Sequence, residues 1–303
     1  TVYYWRKKIA DGQSSLAEMQ YAQSRKAVLL EAKTLCIDLA YYNALTKELQ
    51  RRLDDAQTIM DTWQKRYDLG EASILDLNKA KLNLLTARKE LEMTTVDREA
   101  SRSELVRLNG GVEIDVTDDV IPGGFLPADF ESWFESASEQ SPELMAIRLE
   151  QSLAESSVKL ATSEWMPKVN FGYVSEREAG AIQQGIGAGI SIPLWENRGR
   201  VKAAKARAAA SAARTEDAVS QYYNSLKNKY SRVLGLQKAS AEYRDMLRGI
   251  DSSASLAKAL QAGEISLADY VLENTVWYEA LVETLQAERD CAVLEAEMNA
   301  WQL

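Results

Sequence analysis

The sequence predicts a mainly α-helical protein with two long antiparallel helical hairpins and one small antiparallel β-hairpin. Three observations lead to this fold class. Only 5 of the 303 residues are proline, so long stretches contain few enforced breaks. Along those stretches apolar residues recur at intervals of three and four, which is the period of a helix packed on one face. One short region instead alternates with a period of two, as β-strands do.

The first helical hairpin is predicted for residues 6–110. Residues 6–69 contain no proline and keep the helical apolar period. At about 1.5 Å per residue, a helix of that length would extend roughly 90–100 Å, which is more than a compact domain requires. The pattern resumes after Gly70 and fades at residues 109–111, Asn-Gly-Gly, where glycine can end a helix.

A connector is predicted for residues 111–141, because this segment is rich in paired glycines, prolines and acids. A short helix is expected within it near residues 130–138. A further helix is predicted for residues 142–166. Ser141 can cap its start, Pro142 suits the first helical position, and Glu143 favours the positive helix end.

A β-hairpin is predicted for residues 167–195. On one parity its strands carry apolar residues, among them Ile186, Ile190 and Ile192, and on the other parity the second strand carries small or polar residues. Lipid on the apolar side would produce that alternation, and so would packing on a soluble core. By pattern alone the soluble core is favoured, and both alternatives stay open.

The second helical hairpin is predicted for residues 196–303, and it shares a motif with the first. Gly-Glu-x-Ser-x-x-Asp occurs at residues 70–76 and again at residues 263–269, each time inside helical sequence. A structural account explains three of its positions. Glycine tolerates the positive φ of a chain reversal, the serine can cap the returning helix, and an acid in the first turn interacts favourably with the helix dipole.

Composition excludes several classes of function. The net charge is −9 and the isoelectric point is near 4.9, which argues against a nucleic-acid binder. The chain has no histidine, and its two cysteines, Cys36 and Cys291, show no metal or redox spacing. We therefore expect no metal, no cofactor and no enzyme active site. The sequence contains no run of 18 apolar residues, and it therefore predicts no transmembrane helix.

At this point the sequence resembles the TolC family of outer-membrane efflux proteins. The resemblance rests on the paired tips, "YDLGEASILDLNKAKLNLLTARKEL" and "LQAGEISLADYVLENTVWYEALVETL". It also rests on "SPELMAIRLEQSLAESSVKLATSEWMPKVNFGY" and "GIGAGISIPLWENRGRVKAAKARAAA", which are similar to the helix, proline and strand of that family and to the strand exit into its second long helix. Their order and spacing cover nearly the whole chain.

The resemblance implies a homotrimer in the outer membrane of a Gram-negative bacterium. Each protomer of the family gives four strands to one twelve-stranded β-barrel, and the helices continue it as a hollow periplasmic tunnel with an equatorial belt, which the connector matches. Ile186, Ile190 and Ile192 would then face outer-membrane lipid. Residues 1–5 match the end of a β-strand, so we expect an N-terminally shortened chain.

The resemblance also implies a function, a passive exit duct of a tripartite efflux pump. Its partners would be a periplasmic adaptor, or membrane fusion, protein and an inner-membrane pump. The adaptor would dock at both tips, on the matching residues Gly70, Glu71, Ala72, Ser73, Gly263, Glu264, Ile265 and Ser266. A ring of carboxylates just inside the second tip would form the aperture, with Asp269 as the matching residue and Glu273 one helical turn further on.

Other interpretations stay open from the sequence. The tip residues could serve only as turns and caps, and Asp76 at the first tip is better explained as an acid near a cap. The alternative function is a soluble coiled-coil scaffold or a periplasmic adaptor-like protein. The exported substrate, whether drug, metal ion or peptide, is not encoded in any motif that we recognise.

Overall fold

The structure is a computed structural model that describes residues 2–164, 167–178, 181–191, 198–249 and 252–303. The elements are α1 (Val2–Asp68), α2 (Ile74–Leu108), α3 (Phe130–Gln140), α4 (Pro142–Ser163), β1 (Lys168–Glu178), β2 (Ala181–Ser191), α5 (Arg198–Gly249), α6 (Ser252–Ala262) and α7 (Leu267–Met298), followed by a short 3-10 turn (Ala300–Gln302). The predicted fold class, mainly α with a small antiparallel sheet, is confirmed. None of the described helices combines the length and the apolar character that crossing a membrane requires.

The start of α1 corrects one sequence-based expectation. We expected residues 1–5 to end a β-strand, but α1 begins at Val2. A strand needs a neighbour for its backbone N–H and C=O groups, whereas a helix pairs them internally. The helical start is also held from the side, because Lys159 of α4 lies 5.1 Å from the ring centroid of Trp5.

The chain divides into two compact units, and the first comprises residues 1–25 and 131–225. Within it α1 packs closely on α4, since a Cβ added to Gly12 would overlap the Leu153 side chain. The ring of Phe134 in α3 meets the ring of Tyr223 in α5 edge-on, with 4.9 Å between centroids. Small and aromatic side chains therefore hold this unit together.

The β-hairpin belongs to the first unit. Its strands pair antiparallel with Val169 opposite Ile190, Phe171 opposite Ala188 and Tyr173 opposite Ile186. The predicted apolar parity is thus one face of the sheet, and that face is exposed, with Phe171 79% and Ile186 88% accessible. Ile192, predicted for the same face, lies outside the described residues.

The second unit comprises residues 26–130 and 226–303. Its buried side chains form a stripe along α1 at helical spacing, namely Ile37, Leu45, Leu49, Arg52, Ala56, Ile59 and Trp63. The facing residues of α7 include Tyr270, Tyr278 and Ala292. The core of this unit is therefore a seam between long helices.

The connector between α2 and α3 has no helix or strand over residues 112–129. Side chains from the helices hold its backbone. Asn43 Nδ2 donates to the carbonyl oxygens of Val116 and Asp118, at 2.8 and 2.9 Å. Glu295 accepts from the Gly124 N–H at 2.5 Å, and Asn299 Nδ2 donates to the Phe125 carbonyl at 2.7 Å. The connector is thus anchored along its length.

Candidate functional site

The two repeated motifs end helices in the same way. Gly70 and Gly263 both adopt a φ of 76°, a conformation that side chains with a Cβ rarely adopt. At the first tip the Glu71 N–H donates to the Arg66 carbonyl at 2.8 Å and the Gly70 N–H donates to the Tyr67 carbonyl at 2.9 Å. The corresponding bonds at the second tip are 2.9 and 3.2 Å long. Both helices therefore end in the same Schellman motif, as the glycines predicted.

The returning helices also begin alike. Ser73 caps α2 and Ser266 caps α7, each with an extended backbone and each accepting from the N–H of the aspartate three residues later. Those bonds, to Asp76 and Asp269, are 3.1 and 3.2 Å long. The sequence prediction of a serine cap with an acid in the first turn is correct at both tips.

Asp269 is held more closely than Asp76. Its Oδ2 accepts from the Ser266 hydroxyl at 2.6 Å and from the Ser266 N–H at 3.2 Å, which completes a capping box. Asp76 accepts only the hydroxyl bond from Ser73, at 2.7 Å. The hydroxyl and backbone bonds, with a smaller contribution from Lys79, hold the pKa of Asp269 below its usual value.

The two tips share one hydrophobic cluster. Its buried members come from both hairpins, namely Ile59, Trp63, Ala80, Leu260, Leu267 and Tyr270. Two of the eight predicted docking residues, Ala72 and Ile265, pack against this cluster and are only partly exposed. The four polar docking residues, Glu71, Ser73, Glu264 and Ser266, are all exposed. The tips thus present polar side chains and turn their apolar middle residue inward.

The flanks of the tips differ, and the sequence did not predict this difference. Four large apolar residues next to the first tip are exposed, and we call them the first-tip patch: Tyr67 (39%), Leu69 (74%), Ile74 (49%) and Leu75 (68%). At the corresponding positions of the second tip, Leu260 and Leu267 are 2% and 4% exposed. The other two positions are the small residues Ala262 and Ala268. At these four pairs of positions, the first tip therefore presents large apolar side chains and the second tip does not.

The predicted aperture acids are accessible. Asp269 and Glu273 are both exposed, and they lie one helical turn apart on α7. Asp76 is half-buried at its own cap. Asp269 has a structural role as a capping acid in addition to any role at an aperture.

Behind the tips lies a buried cation that the sequence analysis missed. Arg52 of α1 is 4% exposed, forms an ion pair with Glu90 of α2 and lies 5.1 Å from the ring centroid of Tyr278. Burial, with the charge of Asp55 as a smaller cause, raises the pKa of Tyr278. Its burial could have been predicted from spacing, because Arg52 follows Leu49 by three residues and so lies on the buried stripe of α1.

The described residues contain no cluster of acids and cysteines arranged to hold a metal ion. Both cysteines are free thiols, and Cys291 is buried. Burial and the neighbouring Glu295 raise the pKa of the Cys291 thiol to about 12. This thiol is therefore protonated and unreactive at neutral pH, as expected for a packing residue.

Comparison with protein families identifies the class of protein. Residues 4–111 and 133–299 match the model of the outer membrane efflux protein family. The match takes in both hairpins, both tips and the β-hairpin, so the chain belongs to this family. It is a family of efflux channels and not of enzymes. A search of curated protein sequences gave no significant match.

Three solved structures share the fold and are distant in sequence. The outer-membrane channel OprN superimposes with a TM-score of 0.85 at 18% identity, over 100% of this chain and 73% of that one. VceC from Vibrio cholerae superimposes with a TM-score of 0.78 at 16% identity, over 97% of this chain and 72% of VceC. The CmeC outer membrane channel of Campylobacter jejuni superimposes with a TM-score of 0.75 at 15% identity, over 99% of this chain and 67% of CmeC. These structures show the fold, and the family match favours an exit duct over a soluble scaffold.

Proposed function

We propose that this protein is the outer-membrane exit duct of a tripartite efflux pump in a Gram-negative bacterium. It would conduct exported solutes passively across the periplasm and the outer membrane, as a homotrimer. The observation that carries this proposal is the pair of backbone-identical tips at the ends of long helical hairpins, in a chain of the outer membrane efflux protein family. A duct needs walls and an opening end, and the two hairpins supply both.

Its partners are a periplasmic adaptor protein and an inner-membrane pump. The exposed polar residues Glu71, Ser73, Glu264 and Ser266 would contact the adaptor, while Ala72 and Ile265 hold the loops against the shared cluster. The first-tip patch adds an apolar surface at one tip only. Buried apolar anchors carry much of the binding energy of an interface, so the first tip would be the stronger contact.

A paired substitution tests the first-tip patch. Leu69→Ser with Leu75→Ser removes two exposed apolar side chains and should reduce export and adaptor binding by at least tenfold. The matched control is Ala262→Ser with Ala268→Ser, which changes the corresponding positions of the second tip. Export of a panel of dyes and metal salts from cells lacking the endogenous gene, and adaptor pull-down, measure both pairs. Equal export by the two variants would exclude the patch as an anchor.

Charge reversal tests the polar tip residues. Glu71→Lys and Glu264→Lys should impair export while cross-linking still detects trimers in the membrane, because exposed tip side chains act on a partner and not on the fold. Export that survives both reversals would leave the motifs with a turn and cap role only.

The aperture requires a control that separates charge from capping. Asp269→Ala removes both the carboxylate and the capping box, whereas Ser266→Ala loses the serine's hydroxyl bonds and keeps the carboxylate. We expect single-channel conductance to rise, and block by divalent cations to weaken, in Asp269→Ala alone. Glu273→Ala should have a smaller effect of the same sign. If Ser266→Ala changes conductance equally, the effect arises from the cap.

A further inference from the structure

Basic residues are concentrated where the two long helices begin. Residues 6–8 of α1 are Arg-Lys-Lys, and five of the first ten residues of α5 are Lys or Arg. No Asp or Glu occurs in residues 197–215. The chain as a whole has a net charge of −9, so these cations contrast with the rest of the molecule. We define the cationic belt as Arg6, Lys7, Lys8, Arg200, Lys202 and Lys205.

The two halves of the belt meet at one carboxylate. Arg6 Nη2 lies 2.8 Å from Glu164 Oε1, and Arg200 Nη1 lies 3.7 Å from Glu164 Oε2. These residues belong to one compact unit, so their neighbourhood is a property of the fold. Glu164 ends α4, four residues before β1 begins at Lys168. The belt therefore lies at the base of the β-hairpin.

The described residues neutralise the belt only in part. Two guanidinium groups share the Glu164 carboxylate. Lys7, Lys202 and Lys205 are exposed, and none of them forms an ion pair within the described part of the chain. Arg6 and Arg200 repel one another across the single Glu164 carboxylate, so an anion from outside would be attracted to this end of the unit.

The belt does not serve the helices either. The N-terminus of a helix carries partial positive charge, so cations there are unfavourable and acids are favourable. Four other helices follow that rule, and their first-turn acids are Asp76 in α2, Glu131 in α3, Glu143 in α4 and Asp269 in α7. In contrast, α1, α5 and the short helix α6 have no acid in their first turns. Arg200 lies in the first turn of α5, where the helix dipole disfavours a cation, and the other belt residues lie beyond the first turn, where the dipole has little effect.

The neighbours of the belt indicate which anionic partner it would attract. On one side lies the exposed apolar face of the β-hairpin, including Phe171 and Ile186. Beside the belt, Tyr3 and Tyr4 are 79% and 59% exposed, and Lys8 lies 5.6 Å from the ring centroid of Trp5. Membrane proteins place apolar side chains in the bilayer core, aromatic rings at its interface and Lys or Arg just outside it. The hairpin face, the tyrosines and the belt follow the same order.

We propose that the cationic belt binds the anionic headgroups of phospholipids at the surface of the membrane that the β-hairpin enters. This inference rests on the proposed outer-membrane location and adds a lipid class to it. The belt follows the hairpin directly, so its cations would lie at the level of the phosphates when the apolar face lies among the acyl chains. Binding would fix the depth at which the hairpin stops.

Vesicle binding by the full chain tests the proposal. Flotation is compared on vesicles of phosphatidylcholine alone and on vesicles with about one third phosphatidylglycerol. Each basic residue near an anionic surface contributes roughly a factor of five to affinity. The variant Lys7→Gln/Lys202→Gln/Lys205→Gln should therefore lose on the order of a hundredfold in affinity for the anionic vesicles and little for the neutral ones. High salt should reduce the wild-type preference in the same way.

Two control variants make the result specific. Lys33→Gln/Lys65→Gln/Lys81→Gln removes three exposed lysines of the other unit, and it should keep the preference for anionic vesicles. Replacing the three belt lysines by arginine keeps the charge and should also keep the preference. Circular dichroism shows whether each variant remains helical, and the arginine variant tests the proposal even if the glutamine variant unfolds.

The outcomes separate the belt from the proposed function. Equal affinity of wild type for both vesicles, or an unchanged preference in the glutamine variant, overturns the belt and leaves the exit duct untouched. A chain that binds neither vesicle overturns the membrane location itself. Inorganic phosphate should compete no better than chloride at matched ionic strength, and strong competition by phosphate overturns the proposal in favour of a site for a small anion.

Discussion

The two tips have the same backbone and different surfaces. Gly70 and Gly263 share a φ of 76°, and the hydrogen bonds that end α1 and α6 correspond one to one. Next to these identical turns, Ile74 is 49% exposed while its counterpart Leu267 is 4% exposed. The chain reversal requires the glycine, the serine and the aspartate of the motif. It does not determine whether the neighbouring side chains are buried or exposed.

That difference has a physical origin in the shared cluster. The cluster draws Leu260, Leu267 and Tyr270 from the second tip, and from the first hairpin it draws Ile59, Trp63 and Ala80, which lie further from the turn. In this seam Leu260 and Leu267 of the second tip are buried, while Tyr67 and Ile74 of the first tip stay exposed. The two copies of the motif can therefore have different roles. The second tip stabilises the packing of both tips, and the first tip presents the exposed first-tip patch.

The largest expected effect is on the buried side of this comparison. Tyr270→Ala should lower the free energy of unfolding by about 4 kcal/mol, and Leu77→Ala, at the corresponding position of the first tip, by about 3 kcal/mol, because both leave cavities. Leu75→Ala, on the exposed patch, should change it by about 0.5 kcal/mol or less. Guanidinium unfolding followed by circular dichroism measures all three. A large cost at Leu75 would contradict its assignment to an exposed surface.

The turn glycines should show equal and intermediate effects. An added Cβ meets no atom within 4 Å at either Gly70 or Gly263, so only the positive φ opposes substitution. Gly70→Ala and Gly263→Ala should each cost about 1–2 kcal/mol. Gly235→Ala, in the middle of α5, is the control and should instead stabilise by about 0.5–1 kcal/mol. Unequal costs at the two tips, by the same unfolding measurement, would show that their backbones differ in solution.

Removing the serine caps should destabilise the two tips by slightly different amounts. Ser73→Ala should cost about 1 kcal/mol, because the Asp76 N–H loses its acceptor. Ser266→Ala should cost somewhat more, because the hydroxyl also holds the Asp269 carboxylate in the capping box. The serine-to-threonine variants keep the hydroxyl and serve as controls. A smaller loss at Ser266 than at Ser73 would argue against the capping box.

The smallest expected effect is a pH dependence at the second tip. Because the pKa of Asp269 is lowered by folding from about 3.8, its carboxylate stabilises the fold above that pH, and the contribution is lost as pH falls through the folded pKa. Asp269→Asn should therefore melt below wild type at pH 7. The two melting temperatures should converge at a pH well below 3.8, where the carboxyl group is protonated in the folded state as well. A difference that persists at that pH would assign the effect to packing.

Much of this architecture could be predicted from the sequence, because its determinants are local. The reversals at Gly70 and Gly263, the caps at Ser73 and Ser266 and the pairing of the strands all follow from residue types within a few positions of each other. The short helix α3, expected near residues 130–138, was found at Phe130–Gln140.

The rest depended on contacts that span the chain. Ile74 and Leu267 are both apolar residues after a serine cap, and only the packing of four helices decides which is buried. Residues 2–5 contain valine and aromatic side chains that favour strands, but they continue α1 and contact α4. Arg52 has the spacing of a core residue and the charge of a surface one, and its partner Glu90 is 38 residues away.

The connector has a consequence for how this protein can diverge over time. Asn43, Glu295 and Asn299 hold it through backbone groups, so most side chains inside it take no part in these anchoring bonds. Substitutions should be destabilising at Gly124, where any side chain would collide with Glu295, at Asp119, which pairs with Lys47, and at Ile121, which packs against the core. At exposed connector positions without such contacts, substitutions should cost little. A change at one anchor should loosen only the stretch of connector that this anchor holds. In related chains we therefore expect the exposed positions of the connector to vary more than its three helical anchors, so residues outside the connector help to determine its path.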